Sequence, residues 1–185
     1  MQVQYLATRK ESDLIGILEL QQANHRSMLS DETKKEQGFV TVQHDLDILS
    51  KMSEKYPQIV AKSENLVIGY ALVMPKEFRN DIELLKPLFQ TIDEIDYQNE
   101  PLAERNYFVM GQVCVHQNFR SIGVFDGLYA MLKQEYEHIF DIVVTEISVH
   151  NKRSQNAHKR VGFKEILTHE VEDGEGWKIV VWDWK

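Results

Sequence analysis

Cysteine is nearly absent from this chain: Cys114 stands alone among 185 residues. That excludes an intramolecular disulfide and agrees with a reducing, cytoplasmic setting. Proline and glycine are also few, at 4 and 9, so no stretch has the make-up of a long disordered linker. No apolar run approaches the roughly 18 residues that a membrane-spanning helix needs, and the segment from Met1 to Lys10 lacks the continuous apolar core of a signal peptide. Repeats and low-complexity tracts are missing too. Basic residues number 21 against 29 acidic ones, a net charge of −8. An acidic chain is a poor general binder of nucleic acid or of anionic membrane. What remains has the length and apolar content of one soluble globular domain, residues 1–185.

The charge is unevenly spread. Between Ile147 and Lys164 there is no Asp or Glu, while Lys152, Arg153, Lys159, Arg160 and Lys164 all fall there. A basic island in an acidic chain fits an anionic ligand, and equally a solvated helix face.

Periodicity divides the chain into strands and helices. Gln2 to Ala7 reads as a first strand. A helix capped by Ser12 or Asp13 runs through Leu14, Ile17, Leu18 and Leu20. The polar region from Asn24 to Phe39 breaks at Gly38, and His44 to Met52 has helical spacing, stopped by Pro57. Gln58 to Lys62 and Leu66 to Met74 form a hairpin about Ser63-Glu64-Asn65. Asp81 to Ile92 is helical, with Pro87 as a complication. Asn106 to Val115 is a strand. In Ile122 to Ile139, Phe125, Leu128, Tyr129, Leu132 and Tyr136 mark one helix face. Asp141 to Val149 is a strand and Asn151 to Val161 a helix ended by Gly162. Phe163 to Val171 and Trp177 to Trp184 pair about the turn from Glu172 to Gly176. The class is α/β (α+β) with a mixed sheet.

One junction carries chemistry. The strand ending Val113-Cys114-Val115 enters a polar loop and then a helix that begins near Gly123. Helix-start N–H groups have no partner within the helix and lie at the positive end of its dipole. Such a turn is a ready site for a pyrophosphate; a lone glycine there also serves plain packing.

Arg120-Ser121-Ile122-Gly123-Val124-Phe125 resembles the acyl-coenzyme A signature of the GCN5-related N-acetyltransferases (GNAT), Gln/Arg-x-x-Gly-x-Gly/Ala. The Arg and the first Gly match; Phe125 stands where the family has a small residue. A second match follows downstream. Asn151, Ser154, His158 and Gly162-Phe163 keep the family's spacing, with His158 in the place of a tyrosine. Val67 to Val73 looks like the family's third strand.

The resemblance implies a mostly antiparallel central sheet flanked by helices, with a cofactor cleft between the two central strands. It implies an N-acetyltransferase using acetyl-CoA as co-substrate and an amine as acceptor, with no metal and no covalent enzyme intermediate. Backbone at Val113, Cys114 and Val115 would polarise the thioester. The amides of Arg120, Ser121, Ile122, Gly123, Val124 and Phe125 would hold the pyrophosphate, with Asn151 and Ser154 beside the cofactor. His158 would protonate the leaving thiolate or serve structure alone. Glu146 would take the amine proton or be a surface carboxylate. Gln112 is no base, because an amide is not basic near neutrality. Cys114 reads as a buried small hydrophobe rather than a nucleophile. Asp31 to Glu36 and Asp93 to Glu100 either line a site for a cationic acceptor or are exposed loops. A non-catalytic acyl-CoA-binding sensor of the same fold, an unrelated phosphate-binding protein and a homodimer all stay open.

Overall fold

In a computed structural model of the chain, which describes residues 2–25, 40, 42–170 and 174–185, the alternation at the N-terminus is a strand, β1 (Val3–Thr8). There follow helices α1 (Glu11–Ala23) and α2 (Leu46–Lys55), strands β2 (Gln58–Ser63) and β3 (Leu66–Pro75), and helix α3 (Lys86–Asp93). The short strands β4 (Asp96–Tyr97) and β5 (Glu100–Pro101) come next, then β6 (Tyr107–Val115), α4 (Val124–Tyr136) and β7 (Ile142–Ser148). Helix α5 (Lys152–Val161) and strands β8 (Lys164–Glu170) and β9 (Gly176–Asp183) complete the order. The expected features at Gly38, Asp31 to Glu36 and Glu172-Asp173 lie outside the described residues.

Strands follow one another across the main sheet as β1-β2-β3-β6-β7-β9-β8. The β1–β2, β2–β3, β7–β9 and β8–β9 ladders are antiparallel, whereas in β6–β7 Tyr107 to Val109 run parallel to Ile142 to Val144. The fold is therefore the mixed α/β sheet that the sequence led us to expect. The chain divides into two compact units, residues 1–73 with 110–136 and residues 74–109 with 137–185. Strand β6 contributes Tyr107 to Val109 to the second unit and Met110 to Val115 to the first.

In the first unit, α1 buries Leu14, Ile17 and Leu20 in a cluster with Leu49, Val60, Val67, Tyr70, Leu72 and Cys114. Helix α4 buries Leu128, Tyr129, Leu132 and Tyr136, which is the face its spacing predicts; Phe125 is half-buried and packs on Tyr129 with ring centroids 4.8 Å apart. Helix α4 lies close on β1: a Cβ built at Gly127 would sit 2.2 Å from the Tyr5 ring. Asp13 does not cap α1. The helix begins earlier, with Asp13 and Leu14 N–H on Lys10 O. The buried Asp13 carboxylate instead accepts from Thr8 Oγ1 at 2.8 Å and Lys62 Nζ at 2.5 Å. A tertiary ion pair has outcompeted the local cap. Asp45 does cap α2, taking Ile48 N–H at 2.8 Å.

In the second unit, α3 starts at Lys86, later than the apolar spacing suggests. Pro87 occupies its first turn, where a missing N–H costs nothing. The β4–β5 hairpin was not expected. Gln98 and Asn99 turn it with φ of 55° and 69°, the left-handed pair that a two-residue hairpin needs. Aromatic rings fill the base of this unit: Phe108 lies 5.0 Å from Phe140, and Trp182 lies 5.4 Å from Trp184. Lys76 Nζ ties down the 103–105 loop by donating to Ala103 O and Arg105 O, each at 2.6 Å.

Candidate functional site

Helix α4 begins two residues later than its apolar pattern because the residues before it cannot be helical. Ser121 has φ of 65° and Gly123 of 89°. The left-handed region costs a glycine nothing and burdens a serine. Gly127 N–H closes the first turn onto Gly123 O at 3.0 Å; α4 makes no use of the amides before it. A Cβ placed on Gly123 would meet nothing within 4 Å among the described residues beyond its chain neighbours, so no packing among them explains the glycine. The turn is open backbone at a helix N-terminus, the arrangement that suits a phosphate.

Arg120 shapes this turn rather than projecting from it. Its Nε donates to Val115 O at 2.9 Å and its Nη2 to Asn24 Oδ1 at 2.8 Å. The guanidinium thereby ties the end of β6 to the end of α1. Cys114 is buried in the apolar cluster, and burial pushes its thiol up to about 11. It is the small core residue the sequence suggested, and no thiolate forms near neutral pH.

Beside this strand lies a buried polar network that sequence reasoning missed. Gln112 on β6, Gln21 on α1, Tyr70 on β3 and His44 before α2 are all buried. Two backbone groups fix every orientation in it. His44 N–H donates to Gln21 Oε1 at 2.7 Å, so the Gln21 nitrogen faces the other way. That nitrogen donates to His44 Nδ1 at 2.8 Å and to Gln112 Oε1 at 2.6 Å. Gln112 Nε2 donates to Val42 O at 3.0 Å, and Tyr70 OH donates to Gln112 Oε1 at 2.5 Å. Nδ1 of His44 is therefore an acceptor, and the ring proton sits on Nε2. Burial lowers this imidazole to about 4, so it is neutral at pH 7.

In the second unit the polar stripe of α5 is turned on the helix itself. Asn151 Oδ1 accepts from Ser154 N–H at 3.0 Å, which makes Asn151 the N-cap. His158 is 2% exposed and packs edge-on to Phe163 with centroids 5.1 Å apart. Its Nδ1 lies 2.8 Å from Ser154 O. A carbonyl can only accept, so Nδ1 carries the proton and Nε2 is left as an acceptor. Burial lowers this ring also to about 4. Gly162 ends the helix at φ of 126°, where a Cβ would press on Trp182 Nε1 at 2.7 Å.

Glu146 does not join His158. Phe163 links His158 to Trp182, whose strand partner is Val143. Glu146 is three residues on from Val143 along a regular ladder, so it points to the opposite face. There its Oε1 accepts from His169 Nε2 at 2.7 Å. Burial raises the Glu146 carboxyl against the opposing pull of His169. His169 is thus a second residue the sequence did not reveal; it lies one strand beyond the partner of Glu146. The acidic run from Asp93 is structured in part: Asp93 pairs with Arg79 at 2.5 Å, and β4 and β5 occupy its remainder. Among the described residues no group of three His, Cys, Asp or Glu is placed to hold a metal, and no helix is long and apolar enough to cross a membrane.

The sheet order, the parallel β6–β7 pair and the turn before α4 define the acetyltransferase fold of the GNAT proteins. Solved structures of that fold match over the full length. One is yncA, a putative acetyltransferase from Salmonella typhimurium with its cofactor acetyl-CoA, with a TM-score of 0.64, 18% identity, and 99% of this chain and 94% of that one covered. A chain of the NatC complex bound to Gag peptide and CoA has a TM-score of 0.65 at 12% identity, with both chains fully covered. The ribosomal-protein-S18-alanine N-acetyltransferase from Escherichia coli has 0.63 at 11%, covering 100% of this chain and 95% of that one. No family model and no curated protein sequence matches the chain.

Proposed function

We propose that the protein is an N-acetyltransferase that transfers the acetyl group of acetyl-CoA to a primary amine of a small molecule or a peptide. The observation that carries this reading is the open left-handed turn at Ser121 to Gly123, directly after β6 and ahead of α4. In this reading the amides from Ser121 to Phe125 receive the pyrophosphate, and Arg120 holds the turn in shape from behind. Backbone N–H in the Val113 to Val115 stretch polarises the thioester carbonyl. The neutral amine attacks that carbon directly, its surplus proton passes to a carboxylate base, the C–S bond breaks, and the departing thiolate takes a proton from water. The presence of acetyl-CoA with yncA and of CoA with the NatC complex, both of this fold, supports the assignment.

Glu146 is proposed as the proton acceptor. A carboxylate whose affinity for protons is raised by burial is better matched to a base role near neutrality than an exposed one. His169 would hold one of its oxygens and leave the other for the amine. Glu146→Gln is expected to lower turnover by about 10²-fold with acetyl-CoA affinity unchanged. Steady-state rates near those of the parent protein would remove Glu146 from the mechanism. His158 enters this reading as a pin of α5 rather than as the thiolate's acid, because its proton is committed to Ser154 O and its ring is neutral at pH 7. That observation also favours a second reading, an acyl-CoA-binding module without turnover; a panel of amines assayed with acetyl-CoA separates the two.

Binding itself is tested by melting. A ligand at about 100 times its dissociation constant adds roughly 2.7 kcal/mol to the native state. For a chain of this size that is about 5–10 °C in Tm. A melting curve unmoved by millimolar acetyl-CoA would count against both readings.

A further inference from the structure

Ile122 is the most exposed large apolar side chain among the described residues, at 64%. It stands between two left-handed neighbours: Ser121 and Gly123 have positive φ, and Ile122 does not. Alternating hand of this kind turns successive N–H groups toward one side, as an anion requires. It leaves the middle side chain at the rim of that concavity. The direction of the side chain is fixed from both ends. Before the turn, Arg120 Nε donates to Val115 O at 2.9 Å; after it, α4 begins at Val124. A single isoleucine in water is ordinary on a surface. One held at the rim of a phosphate turn adjoins whatever the phosphate carries. We infer that the Ile122 side chain is the contact for the adenine ring of acetyl-CoA, so that the nucleoside end of the cofactor is recognised by apolar cover at this turn.

This inference rests on the acetyltransferase reading for the place of the pyrophosphate. Two arms leave a pyrophosphate in acetyl-CoA. In that reading the pantetheine arm runs to the thioester at Val113 to Val115, back along β6. The nucleoside arm takes the other direction, past the rim where Ile122 stands. The chemistry of the occupant suits an aliphatic partner. A purine has an apolar face and carries its polar atoms on its edge, so the side chain covers the face while the edge stays in water. Arg120 Nε and Nη2 are spent on Val115 O and Asn24 Oδ1, and the contact at Ile122 adds affinity without a charge. Partial cover of an isoleucine side chain is worth roughly 3- to 10-fold in affinity.

The test reads the contact itself. The intact chain, with ¹³C-labelled isoleucine δ1 methyls, is titrated with acetyl-CoA, and the Ile122 methyl is assigned by its loss in Ile122→Ser. The expected result is a nuclear Overhauser effect between that methyl and a proton of the adenine ring. By calorimetry, Ile122→Ser is expected to weaken acetyl-CoA by roughly 3- to 10-fold and Ile122→Leu to keep the parent affinity. Neither should move Tm in the absence of ligand, since the side chain is exposed. S-acetyl-phosphopantetheine, which lacks the nucleoside, should bind the parent and Ile122→Ser alike. Acetyl-CoA that binds without an adenine contact to the methyl would overturn the inference. So would an equal loss of both ligands in Ile122→Ser, or a dimer in sedimentation that Ile122→Ser abolishes, since a second copy would then cover the side chain. Absence of any heat with acetyl-CoA would instead sink the cofactor reading, and this inference with it.

Discussion

Gly123→Asp is expected to weaken acetyl-CoA binding by roughly a thousandfold while the protein stays folded. The reason lies in what surrounds the glycine. Among the described residues, apart from the two chain neighbours, no atom comes within 4 Å of the position a Cβ would take, so the side chain fits without displacing the described core. Asp also tolerates the left-handed backbone better than most residues, and the φ of 89° at this position is kept at modest cost. The new carboxylate would stand where a phosphate oxygen approaches the backbone. Two like charges about 4 Å apart near a protein surface repel by about 4 kcal/mol, which is the thousandfold. Gly123→Asn supplies the control, since it has the same shape without the charge. Its loss should be far smaller. Calorimetric titration of both variants, with circular dichroism to verify folding, decides the matter. An Asp variant that binds as the parent does would place the pyrophosphate elsewhere.

The second large effect is acid lability. His44 and His158 are both buried neutral, each held near 4 in the folded state against 6.5 in an ordinary environment. Below pH 6.5 the unfolded chain binds protons at these rings and the folded chain does not. Stability therefore falls as pH drops from about 6.5 to about 4 and is fully present above that window. The shift corresponds to about 3 kcal/mol for each ring, and the two together approach the whole stability of an ordinary domain. Glu146 acts the other way, since its folded-state affinity for protons is raised and so favours the folded form as pH falls. It offsets part of the loss. Asp13, lowered by Lys62 and Thr8 in spite of its burial, adds a further loss only below its ordinary 3.8. Urea unfolding from pH 7.5 to 4 should show the decline, and His158→Gln should flatten one part of it. A stability constant across that range would show that neither ring is buried neutral.

What could be read from the sequence was what is local. The helix faces of α4 and α5, the strand before the turn and the glycines at 123 and 162 all declare themselves through spacing. Even there, local rules lost to tertiary ones: Asp13 looks like a cap until Lys62, 49 residues away, claims it. Asn151, Ser154 and His158 have the spacing of a ligand-facing stripe, and spacing alone does not say that two of them satisfy the helix's own backbone. The network of Gln21, His44, Tyr70 and Gln112 was illegible for a different reason. Its members lie up to 91 residues apart and carry no motif; only the folded sheet brings them together. His169 hides similarly, since pairing across β9 depends on a register that includes a bulge between Glu165 and Leu167.

That network has a consequence for the evolution of the chain. Its donors and acceptors form a sentence with one grammar, opened by the main-chain N–H at residue 44 and closed by the carbonyl at residue 42. Changing Gln112 to Glu would set an oxygen against that carbonyl; changing Gln21 to Glu would set one against Gln112. At positions 21 and 112 no acidic or apolar replacement leaves the remaining polar atoms paired, whereas Tyr70→Phe leaves Gln112 Oε1 its bond from Gln21 Nε2. In diverging relatives, positions 21, 44 and 112 should therefore be inherited as a block, replaced together by an apolar set or kept together, with few intermediates surviving between, while position 70 is free to exchange Tyr for Phe.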